Sequence, residues 1–268
     1  MPRKVIWLFK IYWFVIFIAM TDLLDLPVFV VNLDRCPERL AATTKNIKDA
    51  GFKNVNRFRA VDGRNENELV EGWEAHGNPS FDAARVEFVK YKGEQGCALS
   101  HLNLWSHIIA EQIPMAVVFE DDVYFHKDWD TLSKRFWAST PPAHEAWDIL
   151  FMGNQMELKA YGDILRVPVY TTHAYVITLM GARRLYDHYL NFPRGVCAID
   201  CVMIETMWKT FQDQTPSAFT WLVWCGQNFP DPRAVGCNPN WAKRNTGLIF
   251  QDPIFGTDVR PRDDENIL

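Results

Sequence analysis

Apolar residues along the chain fall into short unbroken runs separated by amphipathic stretches. Pro27 to Leu33, Ala116 to Phe119 and Trp147 to Met152 are runs of a few residues rich in Val, Phe, Ile and Leu, the pattern of strands buried on both faces of a parallel or mixed sheet. Asn56 to Val61, Thr172 to Leu179 (with His173 inside it) and Ala218 to Trp224 read as further strands. Between them, Leu99, Leu102, Leu104, Trp105, Ile108 and Ile109 recur at helical spacing, which predicts a helix from the Gly93 region to about Glu111. Pro37 and Gly51 bracket another helix, with proline at the first turn and glycine after the last. Helices are also expected over 128–137, 181–190 and 199–211. Residues 64–92 are polar and weakly periodic, a loop or small helical insertion, and 155–170 suggest a polar hairpin. Alternating strands and helices predict an α/β fold, a Rossmann-type mixed sheet flanked by helices.

The length of 268 residues suits one such domain with an ample core. Three parts are expected: a hydrophobic segment over 1–24, an α/β domain over 25–225 and an irregular tail over 226–268. In the first, Val5 to Met20 is nearly continuous in apolar residues, interrupted by Lys10 and preceded by Arg3 and Lys4. It reads as a signal anchor. Sixteen helical residues span about 24 Å, suited to a thin bilayer. Membrane association through residues 5–20, as a single-pass type II protein, is the expectation, with a cytoplasmic enzyme as the alternative. Acidic residues number 33 against 28 basic ones, a net charge of −5, which argues against a nucleic-acid partner. Six scattered cysteines do not make a disulfide scaffold. Cys197 and Cys201 stand one helical turn apart, without a second pair at zinc-ligand spacing.

The costliest stretch to build is Glu120-Asp121-Asp122, three carboxylates closing the run that begins at Ala116. Side chains alternate along a strand, so Glu120 and Asp122 point to one side and Asp121 to the other. Two carboxylates at a strand's C-terminal end make a hard oxygen site of the kind Mn²⁺ or Mg²⁺ takes. The crevice beyond such strand ends is where open α/β sheets bind nucleotides. Asp34, Arg35 and Arg39 lie in the first strand-to-helix turn, Asp62-Gly63 closes the second strand, and Ser100 and His101 sit in the first turns of the Gly93–Glu111 helix. Gly93 and Gly96 permit close backbone approach there.

Taken in order, Val31-Asn32-Leu33-Asp34 with Arg35 and Arg39, Ala60-Val61-Asp62-Gly63, Gly93-Glu94-x-Gly96-Cys97-Ala98-Leu99-Ser100-His101 and Val118-Phe119-Glu120-Asp121-Asp122-Val123 resemble glycosyltransferase family 25. That family includes bacterial lipopolysaccharide and lipooligosaccharide galactosyltransferases and collagen hydroxylysine galactosyltransferases. Trp147-Asp148-Ile149-Leu150, Thr172-His173-Ala174-Tyr175 and Ile199-Asp200 look like later landmarks, and the resemblance covers roughly residues 28–205. Gln95 departs from the aliphatic residue usual at its position.

The resemblance implies a GT-A-like fold and inverting transfer of a hexose, galactose from UDP-galactose, to a glycan, glycolipid or glycoprotein acceptor. It implies Glu120 and Asp122 as ligands of Mn²⁺ (or Mg²⁺), and Asp121 touching ribose or a nearby basic group. Asn32, Arg35, Arg39, Asp62, Ser100 and His101 become the donor-binding residues. Inversion needs a base at the acceptor hydroxyl, for which Asp200 is the first candidate. Two other readings compete. A nucleotide-sugar pyrophosphorylase or hydrolase using the same metal site is disfavoured by the turn Asp34-Arg35-Cys36-Pro37, which lacks a glycine- and basic-rich loop. A catalytically inactive family member serving as a carbohydrate-binding or adhesion module is disfavoured by the three intact carboxylates.

Overall fold

Side-chain alternation along the central strands sets up two cores. In the computed structural model, which describes residues 22–77, 92–154, 163–192, 198–213, 217–225 and 246–251, the strand Pro27–Asn32 turns Val28 and Val30 to one core and Phe29 and Val31 to the other. Met115–Glu120 does the same with Val117 and Phe119 against Ala116 and Val118. A strand apolar on both sides is stable only where both faces of its sheet are covered.

The described elements run β1 (Pro27–Asn32), α1 (Pro37–Asp49), β2 (Asn54–Arg59), α2 (Glu66–Ala75), α3 (Lys92–Ala110), β3 (Met115–Glu120), β4 (Val123–Phe125), α4 (Trp129–Ser139), α5 (Ala143–Ala146), β5 (Ile149–Phe151), β6 (Gly153–Asn154), β7 (Ile164–Leu165), β8 (Ala174–Thr178), α6 (Leu179–Leu190), α7 (Ile199–Asp213), β9 (Trp221–Trp224), β10 (Thr246–Gly247) and β11 (Ile249–Gln251). Seven strands form one sheet in the order β2-β1-β3-β8-β5-β9-β7. β2, β1 and β3 are parallel, β8 runs antiparallel to β3 and β5, and β9 is parallel to β5. The expected Rossmann-type mixed sheet flanked by helices is the observed one. Helices α2, α3, α6 and α7 cover one face, with Trp73, Leu99, Leu185 and Met203 in that core. Ile47 of α1 and Trp129, Leu132 and Phe136 of α4 cover the other.

Because β1, β2 and β3 are parallel, their C-terminal ends open on one edge, which gathers the segments after Asn32, after Arg59 and after Glu120. Close packing behind that edge depends on glycine: a Cβ at Gly96 of α3 would lie 2.7 Å from the Val61 carbonyl and 2.8 Å from the Gly63 nitrogen. Gly51, at φ +94, lets the chain leave α1 in a left-handed turn. β2 begins two residues before the expected start because it pairs in register with all of β1, Pro27 opposite Asn54. The stretch expected to be a loop or insertion contains α2, capped by the Asn65 side chain on Asn67 N at 3.1 Å.

Within the tail expected to be irregular, residues 246–251 are regular. β10 pairs with β6 and β11 with β4, placing Gln251 opposite Val123. Asp148 ties the sheet to α6: its buried carboxylate accepts from Arg184 Nη1 at 3.0 and 2.8 Å and from Thr220 N at 2.7 Å. The hydrophobic segment 5–20, most of the 155–170 hairpin and Cys197 lie outside the described residues. Among the described residues, no helix is long and apolar enough to cross a membrane.

Candidate active site

β3 stops at Glu120, and the chain turns through Asp121 and Asp122 before β4. The strand alternation expected to carry Asp122 to the side of Glu120 therefore ends two residues too early. Asp121 and Asp122 instead share Arg39, from the first turn of α1: its Nη2 lies 2.6 Å from Asp121 Oδ1 and 3.1 Å from Asp122 Oδ2. Asp121 is further held by Asn32, whose Nδ2 donates to its Oδ2 at 2.6 Å and to the Cys36 carbonyl at 2.9 Å. The Thr43 hydroxyl donates to its backbone carbonyl at 2.6 Å. Asp121 thus couples the acidic turn to β1 and α1, and the nearby basic group it touches is Arg39.

Asp122 is 7 % exposed, and its Oδ1 has no hydrogen-bond partner among the described residues. Burial, then the charges of Glu120 and Asp121, push its carboxyl up to about 8, with Arg39 and the Gln251 amide opposing. Glu120 differs. Burial alone would raise its carboxyl too, but His101, the Thr172 hydroxyl and His173 hold it below the ordinary carboxylate value. Thr172 Oγ1 donates to Glu120 Oε1 at 2.5 Å, and Gln251 Nε2 to Oε2 at 3.3 Å. Gln251, from the far end of the chain, is therefore the side chain common to Glu120 and Asp122.

On the α3 side stands His101, fully buried, with Nδ1 2.8 Å from the Tyr175 hydroxyl and Nε2 3.6 Å from Glu120 Oε1. Trp105 Nε1 donates to the same hydroxyl at 3.1 Å. One turn earlier is Cys97, whose thiol is pushed well up by burial and by the charges of Glu120 and Asp200. That influence puts Asp200 near this cluster; its Oδ1 also accepts from Cys201 N at 2.8 Å at the start of α7. Burial holds the His173 imidazole below the ordinary histidine value, and its Nε2 meets the Ile249 carbonyl at 3.1 Å.

The sheet edge thus brings together Asn32, Arg39, Glu120, Asp121, Asp122 and His101. Arg35 and Asp62 pair with each other at 2.8 Å, both partly exposed, at its rim. Ser100 stands apart from the carboxylates: its hydroxyl accepts from Val61 N at 2.8 Å and donates to the Gly96 carbonyl at 2.6 Å, fastening α3 to the loop after β2. Three residues were missed from the sequence: Gln251, Thr172 as a ligand of Glu120, and Cys97. Cys97 carried a readable signal, its four-residue spacing from His101. Gln251 carried none.

The donors suit a divalent cation. Two hard carboxylates, Glu120 and Asp122, stand close enough to perturb each other, and a buried oxygen on one lacks a partner.

Residues 25–154 match the family model described as glycosyltransferase family 25 (LPS biosynthesis protein). Among curated proteins, the chain is 30% identical over 167 residues to a probable inactive glycosyltransferase 25 family member 3 of Rattus norvegicus, covering 59% of this chain and 29% of that protein. It is 25% identical over 168 residues to procollagen galactosyltransferase 2 of Mus musculus, covering 59% and 27%. The chain thus spans under a third of the length of these relatives. Among solved structures, a glycosyltransferase involved in glycosylation of the major capsid of PBCV-1 aligns over 88% of this chain and 95% of its own at 10% identity, with a TM-score of 0.40.

Proposed function

Since residues 25–154 carry a glycosyltransferase family 25 domain, we propose that the chain is a metal-dependent inverting glycosyltransferase moving galactose from UDP-galactose to a glycan or glycolipid. The observation that supports this most is the partnerless Oδ1 of buried Asp122 beside Glu120. A fold keeps such a carboxylate at a cost of about 1–3 kcal/mol or more, and a bound cation would relieve it.

In this reading Glu120 and Asp122 would hold Mn²⁺ or Mg²⁺, which would supply neutralisation of charge on a diphosphate leaving group. Arg39 and Asn32 hold Asp121 and thereby the shape of the turn. Arg35 and Asp62 meet the nucleotide at the rim, and His101 faces the donor from α3. Asp200 takes the proton of the attacking acceptor hydroxyl, so that bond formation at the anomeric carbon leaves no charge on the new glycosidic oxygen. Anchoring through residues 5–20 belongs to the same reading, and membrane fractionation of the expressed chain tests it.

A second reading is an inactive carbohydrate-binding or adhesion module. It draws on the names of relatives called inactive, and the retained carboxylates speak for the first. Calorimetry of UDP, GDP and CMP binding, with and without Mn²⁺, separates the two. UDP binding that requires Mn²⁺ and disappears in Asp122→Ala is the expected result. If no nucleotide binds under either condition, the module reading replaces the enzyme.

A further inference from the structure

Cys97 and His101 are four residues apart on α3, so one helical turn brings both side chains to the same face. That face meets the end of β3, and the Cys97 Sγ, a His101 ring nitrogen and a Glu120 carboxylate oxygen lie within 4.8 Å of one another. His101 is fully buried, yet its Nε2 makes no hydrogen bond: at 3.6 Å, Glu120 Oε1 is too far to accept one. That separation instead matches the edge of a tetrahedron, about 3.3–3.8 Å for bonds of roughly 2.0–2.3 Å to a central ion. The other ring nitrogen is anchored on Tyr175, which Trp105 steadies, the kind of outer partner that orients metal-binding histidines.

We propose that Cys97, His101 and Glu120 form a second cation site, selective for a borderline-soft divalent ion such as Zn²⁺, with the fourth position taken by water. Thiolate and imidazole favour Zn²⁺ or Co²⁺ over Mn²⁺ and Mg²⁺, so the site differs in chemistry from the pair Glu120 and Asp122. Binding releases the thiol proton to solvent. Glu120 belongs to both donor sets, so a Zn²⁺ ion here withdraws it from Asp122 and antagonises Mn²⁺-dependent donor binding. That consequence rests on the proposed donor site, whereas the existence of the Zn²⁺ site does not.

The test is a Co²⁺ titration of the reduced, metal-free full chain, followed by absorption. A near-ultraviolet thiolate-to-cobalt band with the visible bands of a tetrahedral ion is expected, saturating at a single equivalent and displaced by Zn²⁺. Cys97→Ser, which keeps the side-chain volume, is expected to lose the charge-transfer band while its metal-free circular dichroism and melting match wild type. Tyr175→Phe is expected to weaken Co²⁺ binding by about 10- to 100-fold. Absence of the band in wild type, or its survival in Cys97→Ser through another of the cysteines, overturns the site. Zn²⁺ is further expected to suppress Mn²⁺-dependent UDP binding in wild type and not in Cys97→Ser. Equal suppression in both overturns the competition. A normal cobalt spectrum in a protein that binds no nucleotide removes the donor reading and leaves this site standing.

Discussion

Asp122 is buried, and the charges of Glu120 and Asp121 both act on it. Its carboxyl, ordinarily at 3.8 and here pushed up to about 8, is neutral in the folded chain at pH values where the unfolded chain has ionised it. The folded state therefore binds more protons, and stability falls as pH rises between those values. His76, His126, His173 and His188 are each held below 6.5, with burial the main cause. They add a slope of opposite sign as pH falls below that value. Four unfolded imidazoles still hold about one proton between them at pH 7, so the interval that isolates Asp122 runs only from about 7.5 to about 8. There the metal-free protein is expected to lose stability by up to about 1.4 kcal/mol per pH unit, and Asp122→Asn to flatten that dependence. Urea midpoints across the interval decide it: parallel curves for wild type and variant count against the assignment. Saturating Mn²⁺ is expected to remove the slope in wild type, because a bound cation favours the ionised form.

At the scale of elements, the site is completed by a segment far away in sequence. β10 and β11 reach it through Gly153 of β6, where a Cβ would stand 2.1 Å from the Ile249 carbonyl and 2.3 Å from His173 Nε2. Gly247, at φ +119, ends β10 where the chain bends toward β11. Gly153→Ala is therefore expected to cost about 1–3 kcal/mol through overpacking and to loosen residues 246–251 preferentially. Hydrogen exchange localises the effect: faster exchange at Leu248 and Gln251, with Val30 and Val117 unchanged, is the expected pattern. Uniform acceleration across the sheet would instead mean that Gly153 supports the fold as a whole. The β1–α1–β2 and α3–β3 units were legible in advance because β1 and β3 are unbroken apolar runs, α1 is bracketed by Pro37 and Gly51, and α3 repeats its apolar residues at helical spacing. β10 and β11 were not, since strands this short take their conformation from the partners β6 and β4, which no window of sequence contains.

For the molecule as a whole, one sheet separates two cores, so each side needs the other to keep the sheet buried. Leu102→Ala on the α3 side and Phe136→Ala on the α4 side, both at fully buried positions, are expected to cost about 2–5 and 3–5 kcal/mol. Because they lie in separate cores, the two losses are expected to add within about 0.5 kcal/mol in the double variant. Denaturant unfolding followed by both fluorescence and circular dichroism checks this, and separate transitions for the two probes would mean that the cores unfold independently. From the sequence alone came the α/β class, the buried strands, the helix bounded by Pro37 and Gly51, and the acidic stretch Glu120-Asp121-Asp122. All of these are written in local spacing and in the cost of adjacent charges. Only the tertiary structure decided that the strand breaks after Glu120, that Arg39 takes both aspartates, that Ser100 is a fastener, and that Gln251, Thr172 and Cys97 surround Glu120. These are contacts between segments as many as 131 residues apart, and local pattern carries no information about which distant surface a side chain will meet.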